Sequence, residues 1–214
     1  MKKEVIVVGA GLVGSLWAVF LAQRGYHVKV YEKRPDPRLN EFTGGRSINL
    51  ALSDRGWRAL ETVGLSEQIK AIAIPMEGRM IHHEGGSESL QPYGKKGQHI
   101  WSVSREGLNV ALINAAHSTN NVQFHYNHKC AELDINSGSI QFVKDGIDKI
   151  TSGGSIIFGT DGAFSAVRDN LMKQSNMNYS QDFLAYNYKE LTIPAGSEKK
   201  WQLYKNALHI WPRE

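Results

Sequence analysis

The sequence predicts an α/β fold with a mainly parallel sheet, and three observations carry that prediction. An apolar run, "EVIVV", meets glycines at Gly9, Gly11 and Gly14; a helical apolar stretch follows as far as Gly25; and "HVKVYE" then reads as a second strand. Strand, tight turn, helix and strand in that order make a βαβ unit, whose two strands lie parallel because the helix carries the chain back across the sheet. A later strand-like run, "GSIIFG", ends in another glycine turn at Asp161 and Gly162, before the helical pattern "AFSAVRDNL".

The first unit has a competing reading. Val5 to Ala22 is an uncharged, mostly apolar run of 18 residues behind Lys2 and Lys3, long enough for a membrane span or a signal sequence. Three glycines at loop spacing, no small-residue cleavage motif and the amphipathic strand just downstream favour strand, turn and buried helix. No membrane segment is expected.

Each glycine then has a separate task. Gly9 permits the tight turn, Gly11 lets backbone approach a pyrophosphate, and Gly14 lets the helix lie close to the sheet. The helix amino terminus offers unpaired N–H groups and a positive dipole end to phosphate. Glu32, 18 positions after Gly14, suits a pair of ribose hydroxyls, so the unit reads as an adenine-dinucleotide site. The spacing alone would be weak; its place between strand and helix, with the acid following, makes it specific.

Composition sets limits. With 214 residues, 41% of them hydrophobic, the chain can bury a core of one large domain or one and a half. A net charge of +4 without extended Lys/Arg clusters excludes a nucleic-acid footprint. Cys130 is the single cysteine, which rules out an internal disulfide and fits a reducing, cytoplasmic setting with a packing role. There are no internal repeats. Of the eight histidines, His82 and His83 point to opposite faces of a strand, as do His125 and His128 in an extended reading, so no metal site is expected.

Further along, Ser53 caps a helix to Val63 with Leu60 and Val63 inside, and Gly64 stops it. "RMIHHEGGSESLQPYG" reads as a hairpin around Glu84 to Ser87, with Arg79 and Tyr93 as cross-strand neighbours and Pro92 marking an edge strand. "SVSREGLNVALINAAHS" is a helix capped by Ser104, and a hairpin turns at "KDGID". Asp161–Gly162, with Ser165 and Arg168 opening a helix, is a combination that nicotinamide dehydrogenases do not carry. On the bland reading Arg79 is a solvated charge, Tyr93 a half-buried ring, Arg105 a surface charge, and Arg168 the partner of an acid such as Asp169 or Asp161.

Taken together, "GAGLVGS", "YEKRPDPR", "GRSINLALSDRG", "GRMIH", "QPYG", "SVSREGLN", "GTDGAFSAVR", "YKELTIP" and "LHIWPR" resemble the kynurenine 3-monooxygenase family of class A flavoprotein aromatic hydroxylases. The resemblance covers nearly all of residues 3–213. The glycine loop and the "DG" turn belong to the whole superfamily, whereas "GRSINLALS", "QPYG" and "YKEL" with "LHIWPR" are far more specific.

The resemblance implies a tightly held FAD, reduced by NADPH and reoxidised by O2, with one oxygen delivered to the ring of L-kynurenine ortho to its amino group. The flavin does this chemistry, so no catalytic acid, base or nucleophile is expected from the chain. By position, Gly9, Gly11, Val13 and Gly14 line the pyrophosphate, Glu32 takes the adenosine ribose beside Lys33 and Arg34, Ala51 approaches the flavin, Arg105 reaches the FAD, and Asp161 serves dinucleotide binding. Arg79 and Tyr93 match the pair that grips the substrate carboxylate, where a guanidinium can bind bidentately and a phenol adds a donor.

The implied architecture is α/β: a glutathione-reductase-type FAD-binding domain with a mainly parallel sheet, residues 1–72 and 98–175. It is interleaved with part of a mostly antiparallel substrate domain, residues 73–97 and 176–214. The family's chains are much longer, and a later "GD" motif and most substrate-pocket residues have no counterpart here, so this amino-terminal part is expected to be inactive alone. The alternatives are a hydroxylase of another aromatic acid and a non-catalytic dinucleotide-binding scaffold.

Overall fold

The computed structural model describes residues 4–39, 48–153, 156–186, 189, 191 and 193–212. "GRS" of the "GRSINLALS" motif, Tyr188 and Glu190 of "YKEL", and the last two residues lie outside the described residues.

The chain opens with β1 (Glu4–Val8), α1 (Leu12–Gln23) and β2 (His27–Tyr31), then β3 (Asn49–Leu52), α2 (Asp54–Thr62) and α3 (Ser66–Lys70). A β-rich stretch follows: β4 (Ile74–Met76), β5 (Gly78–His82), β6 (Glu88–Pro92) and β7 (Ile100–Ser104). After α4 (Arg105–His117) come β8 (Val122–His125), β9 (His128–Asp134), β10 (Ser139–Lys144), β11 (Asp148–Gly153) and β12 (Ile156–Gly159), then α5 (Ala166–Gln174) and β13 (Ala207–Ile210).

The central sheet has the order β12-β1-β2-β8, and every pairing in it is parallel. β1 is interior and buried on both faces: Val5 and Val7 turn one way, Ile6 and Val8 the other, and none is more than 3% exposed. An unbroken apolar run rather than an alternating one is what such a strand requires. On the first face lie α1 and α4, through Ala18, Leu108, Leu112 and Ala116. On the second, Tyr31 and Ile6 meet Phe142 and Ile140 of the antiparallel sheet β11-β10-β9, together with Val167 of α5.

Local signals account for most boundaries. α1 ends where Gly25 takes φ 82°, and α4 begins at Ser104, whose hydroxyl accepts the Gly107 N–H at 3.2 Å. Ser53 stands at the cap of α2 but its side chain makes no capping bond; the helix is held instead by its inner face, with Leu60 and Val63 buried. Two smaller sheets complete the fold, β3-β7-β4, which is antiparallel, and β13-β5-β6, in which β6 with Pro92 is an edge strand. No helix among the described residues is long and apolar enough to cross a membrane, the apolar run of residues 5–22 being divided between β1 and α1.

Candidate dinucleotide site

β1 delivers the chain to a turn at Gly9, where φ is 99° and the N–H donates to Tyr31 O at 2.7 Å. A Cβ there would lie 2.8 Å from Thr160 O and from Asp161 Cα, so Gly9 serves both the turn and the close passage of a second loop. Thr160 pins the two loops together: its hydroxyl donates to Val8 O (2.8 Å) and Gly9 O (3.0 Å). At Gly14 a Cβ would stand 1.9 Å from Gly9 O and 2.6 Å from Thr160 Oγ1. The sequence reading put this glycine against the sheet; the tight contact is with the glycine turn itself. Gly11 has nothing within 4 Å of where a Cβ would be. It caps α1 with no side chain to occupy the helix's first N–H groups, and no carboxylate lies in the first turn, which leaves that end open to an anion.

The end of β2 supplies the acid. Glu32 accepts the Ala10 N–H at 2.7 Å through Oε2 and the Arg34 N–H at 3.0 Å through Oε1, so it braces the glycine loop as well as facing the cleft. Beyond the exposed Lys33 and Arg34, Asp36 is buried and forms a two-pronged ion pair with Arg38. The hydrogen bonds from Arg38 hold the Asp36 carboxyl below the usual aspartate range, against the opposing effect of burial. Sequence reasoning missed this pair, although "DPR" with acid and base two apart was the available signal.

Opposite stands the Thr160–Gly162 turn. Asp161 accepts the Ser165 hydroxyl (2.6 Å) and the N–H groups of Ala166 (2.7 Å) and Val167 (3.3 Å), so its carboxylate fastens the start of α5. The remaining wall comes from α4, where Arg105 and Asn109 are one turn apart, and from His128, Lys129 and Cys130 of β9. Burial raises the Cys130 thiol to about 11, with Asp161 adding to the shift, so the thiol stays protonated. The cleft has a volume of about 540 Å3, within the range of small-molecule and cofactor sites. Gly9, Gly11, Val13, Glu32, Lys33, Arg34, Arg105 and Asp161 line it, and Gly14 lies behind it.

Ala51 lines a separate cleft of about 510 Å3 between the β3-β7-β4 sheet and residues 193–209. Arg79 and Tyr93 line neither cleft. In the β5–β6 hairpin Arg79 faces Gln91 directly, and the Tyr93 N–H bonds to Glu77 O, so Arg79 and Tyr93 are diagonal rather than opposite partners. They still share a face: the Arg79 guanidinium carbon lies 5.5 Å from the Tyr93 ring centre.

His125 and His128 also depart from the extended reading. Asn127 takes φ 60° between β8 and β9 and brings the two rings to 5.7 Å, both against Tyr31. Burial lowers the His125 pKa, with His128 and Lys29 acting in the same direction. Among the described residues no group of three His, Cys, Asp or Glu side chains could hold a metal ion.

The chain is 47% identical to the kynurenine 3-monooxygenase of Myxococcus xanthus over 99% of its own length and 46% of the relative's. It is 45% identical to that of Sus scrofa over 100% and 45%. It thus spans about half the length of the curated relatives it matches. Among solved structures, the fold is similar to the flavin-dependent monooxygenase PieE (TM-score 0.67, 17% identity, 80% of this chain and 32% of that one). It is similar also to the tetrameric form of 2-methyl-3-hydroxypyridine-5-carboxylic acid oxygenase (0.63, 24%, 79% and 42%). The family model for the FAD binding domain matches residues 2–204, and the chain belongs to that family.

Proposed function

We propose that this chain is the dinucleotide-binding part of an FAD-dependent monooxygenase that hydroxylates L-kynurenine to 3-hydroxykynurenine with NADPH and O2. The observation that carries the reading is the meeting of the two glycine turns, Gly9 against Thr160 and Asp161, at a cleft closed on one side by Glu32. The residues fit the group: free N–H groups at the start of α1 for pyrophosphate, unobstructed space at Gly11, and a carboxylate at Glu32 to accept from ribose hydroxyls. Arg105, exposed on the rim, adds a cation toward the phosphates.

Bound there, FAD would supply the hydride and oxygen chemistry that no protein side chain can perform. The chain's own residues bind, orient and exclude water. Asp161 acts by fixing the turn that packs on Gly9, since its oxygens are engaged by α5. Arg79 and Tyr93, on one face of the hairpin, hold the kynurenine carboxylate. The 41–47% identity to kynurenine 3-monooxygenases over nearly the whole chain favours kynurenine over another aromatic acid. The test is to purify a protein of the relatives' full length that contains this chain. It should be yellow, release FAD on denaturation, and form 3-hydroxykynurenine with NADPH. A colourless protein retaining NAD overturns the cofactor, and flavin without kynurenine-dependent NADPH oxidation overturns the substrate.

A further inference from the structure

Arg105, Asn109 and Ile113 stand one helical turn apart along α4, in a row that runs from the dinucleotide cleft into the core. Arg105 is exposed, Asn109 is partly buried and Ile113 is wholly buried. Asn109 lines the cleft, yet its Oδ1 is buried with no hydrogen-bond partner among the described residues. Exchanging the two ends of the amide cures nothing, because Nδ2 would then hold its donors in the same partnerless place. Leu108 and Leu112 beside it belong to the core, and an aliphatic side chain at position 109 would close that junction with no polar atom unpaired. The amide therefore weakens the empty protein, and its return comes from whatever fills the cleft.

The chemistry of a carboxamide says what that is. Among the other side chains on the cleft wall, Lys33, Arg34, Arg105 and Lys129 can only donate, whereas the carboxylates of Glu32 and Asp161 only accept. An amide does both from one planar group. It suits a place where a phosphate oxygen, which needs a donor, stands next to a hydroxyl, which needs an acceptor.

Position narrows the choice further. Glu32, Lys33 and Arg34 follow β2 and mark the adenosine end of the cleft. Asn109 shares its wall with Arg105, and α4 packs in one core with α1, whose open start suits the pyrophosphate. We propose, resting on the reading of this cleft as an FAD site, that Asn109 is a further cofactor-binding residue: its carboxamide turns into the cleft, Nδ2 donates to a pyrophosphate oxygen, and Oδ1 accepts from a hydroxyl of the adjoining ribityl chain. Asn109 thus holds the flavin half of the cofactor, where Glu32 holds the adenosine half. A side chain that is unsatisfied in the empty protein is satisfied only when the polyol is in place.

Asn109→Leu, close to asparagine in size and without polar side-chain atoms, tests this in a protein of the relatives' full length that contains this chain. Melting of the flavin-free protein is the first readout, and the variant should equal or exceed the parent, because an unpaired group has been removed. Titration is the second: by fluorescence quenching, FAD should bind the variant about 10- to 100-fold more weakly. ADP, which carries the two phosphates and stops short of the polyol, is the control ligand, and by calorimetry its loss should be smaller than that of FAD. A flavin-free variant that melts well below the parent shows an amide bonded within the protein and overturns the proposal. Unchanged FAD affinity, or equal losses for FAD and ADP, overturns it as well. A parent that binds neither ligand defeats the reading of the cleft itself, and this proposal with it, so the two failures are distinguishable.

Discussion

The backbone N–H of Ala10 donates to the Glu32 carboxylate at 2.7 Å, which ties the glycine loop to the end of the neighbouring parallel strand. An acid in this position thus has a structural task that exists before any ribose arrives. Glu32→Ala should leave a partly buried N–H without an acceptor, at about 1–2 kcal/mol. For a chain of this size that lowers Tm by roughly 2–8 °C, readable by circular dichroism. Glu32→Gln keeps an acceptor and should lose much less stability while still weakening FAD binding. Equal melting of both variants and parent would show that the brace contributes nothing.

Gly11 and Gly14 should behave differently when substituted. At Gly14 a methyl group has no room against Gly9 O, so Gly14→Ala should cost about 1–3 kcal/mol or more and disturb the fold. Gly11→Val has open space and an extended backbone (φ −72°, ψ −174°), so the protein should fold, with about 1 kcal/mol lost at the helix cap. Flavin retention should nevertheless vanish in Gly11→Val, because the side chain projects into the site. Fluorescence quenching of added FAD, set beside melting curves, separates the two cases.

The Asp36–Arg38 pair predicts an acid-labile component of stability. Because the hydrogen bonds from Arg38 lower the Asp36 pKa in the folded state, its contribution is complete above the unfolded aspartate value, about 3.9. It is lost as pH falls through the lower folded value. Urea melts between pH 3 and 7 should show Asp36→Asn to be destabilised at neutral pH, with the gap to the parent closing on acidification. A gap that is constant over this range would argue against the linkage.

Arg79→Ala in the full-length protein should weaken kynurenine binding by about 2–4 kcal/mol, roughly 30- to 1000-fold, with FAD content unchanged. Tyr93→Phe removes one neutral donor and should cost less, about 1.5–3 kcal/mol. A decarboxylated analogue should bind the parent and Arg79→Ala about equally. Titrations followed through the flavin spectrum test this, and unchanged kynurenine affinity without Arg79 would return the pair to a solvated cation beside a packed ring.

Much of the scaffold was legible because its signals are local. The unbroken apolar β1, the helix stop at Gly25, the Ser104 cap and the edge proline each follow from a few adjacent residues. Other features depend on one residue of register. The Arg79–Tyr93 relation came out diagonal because the hairpin pairs Arg79 with Gln91. His125 and His128 converge because a single left-handed residue, Asn127, divides two strands that read as one. Contacts between distant segments left no pattern to read. Neither the seating of Gly14 on Gly9 and Thr160 nor the His82–His209 bond, 127 positions apart, has a sequence period.

The Thr160 hydroxyl reaches Val8 O across 152 positions of chain, and that span sets a timetable for synthesis. At about 5–20 residues per second, roughly 8–30 s separate the emergence of the first glycine turn from that of the loop that packs on it. During that interval β1 lacks its β12 neighbour, and an apolar strand edge stands open on the ribosome. A nascent chain can therefore capture its dinucleotide only after α5 has left the exit tunnel. Flavin scarcity would then be felt only once α5 is out, as a formed but empty cleft, and not as an arrest at the first glycine turn.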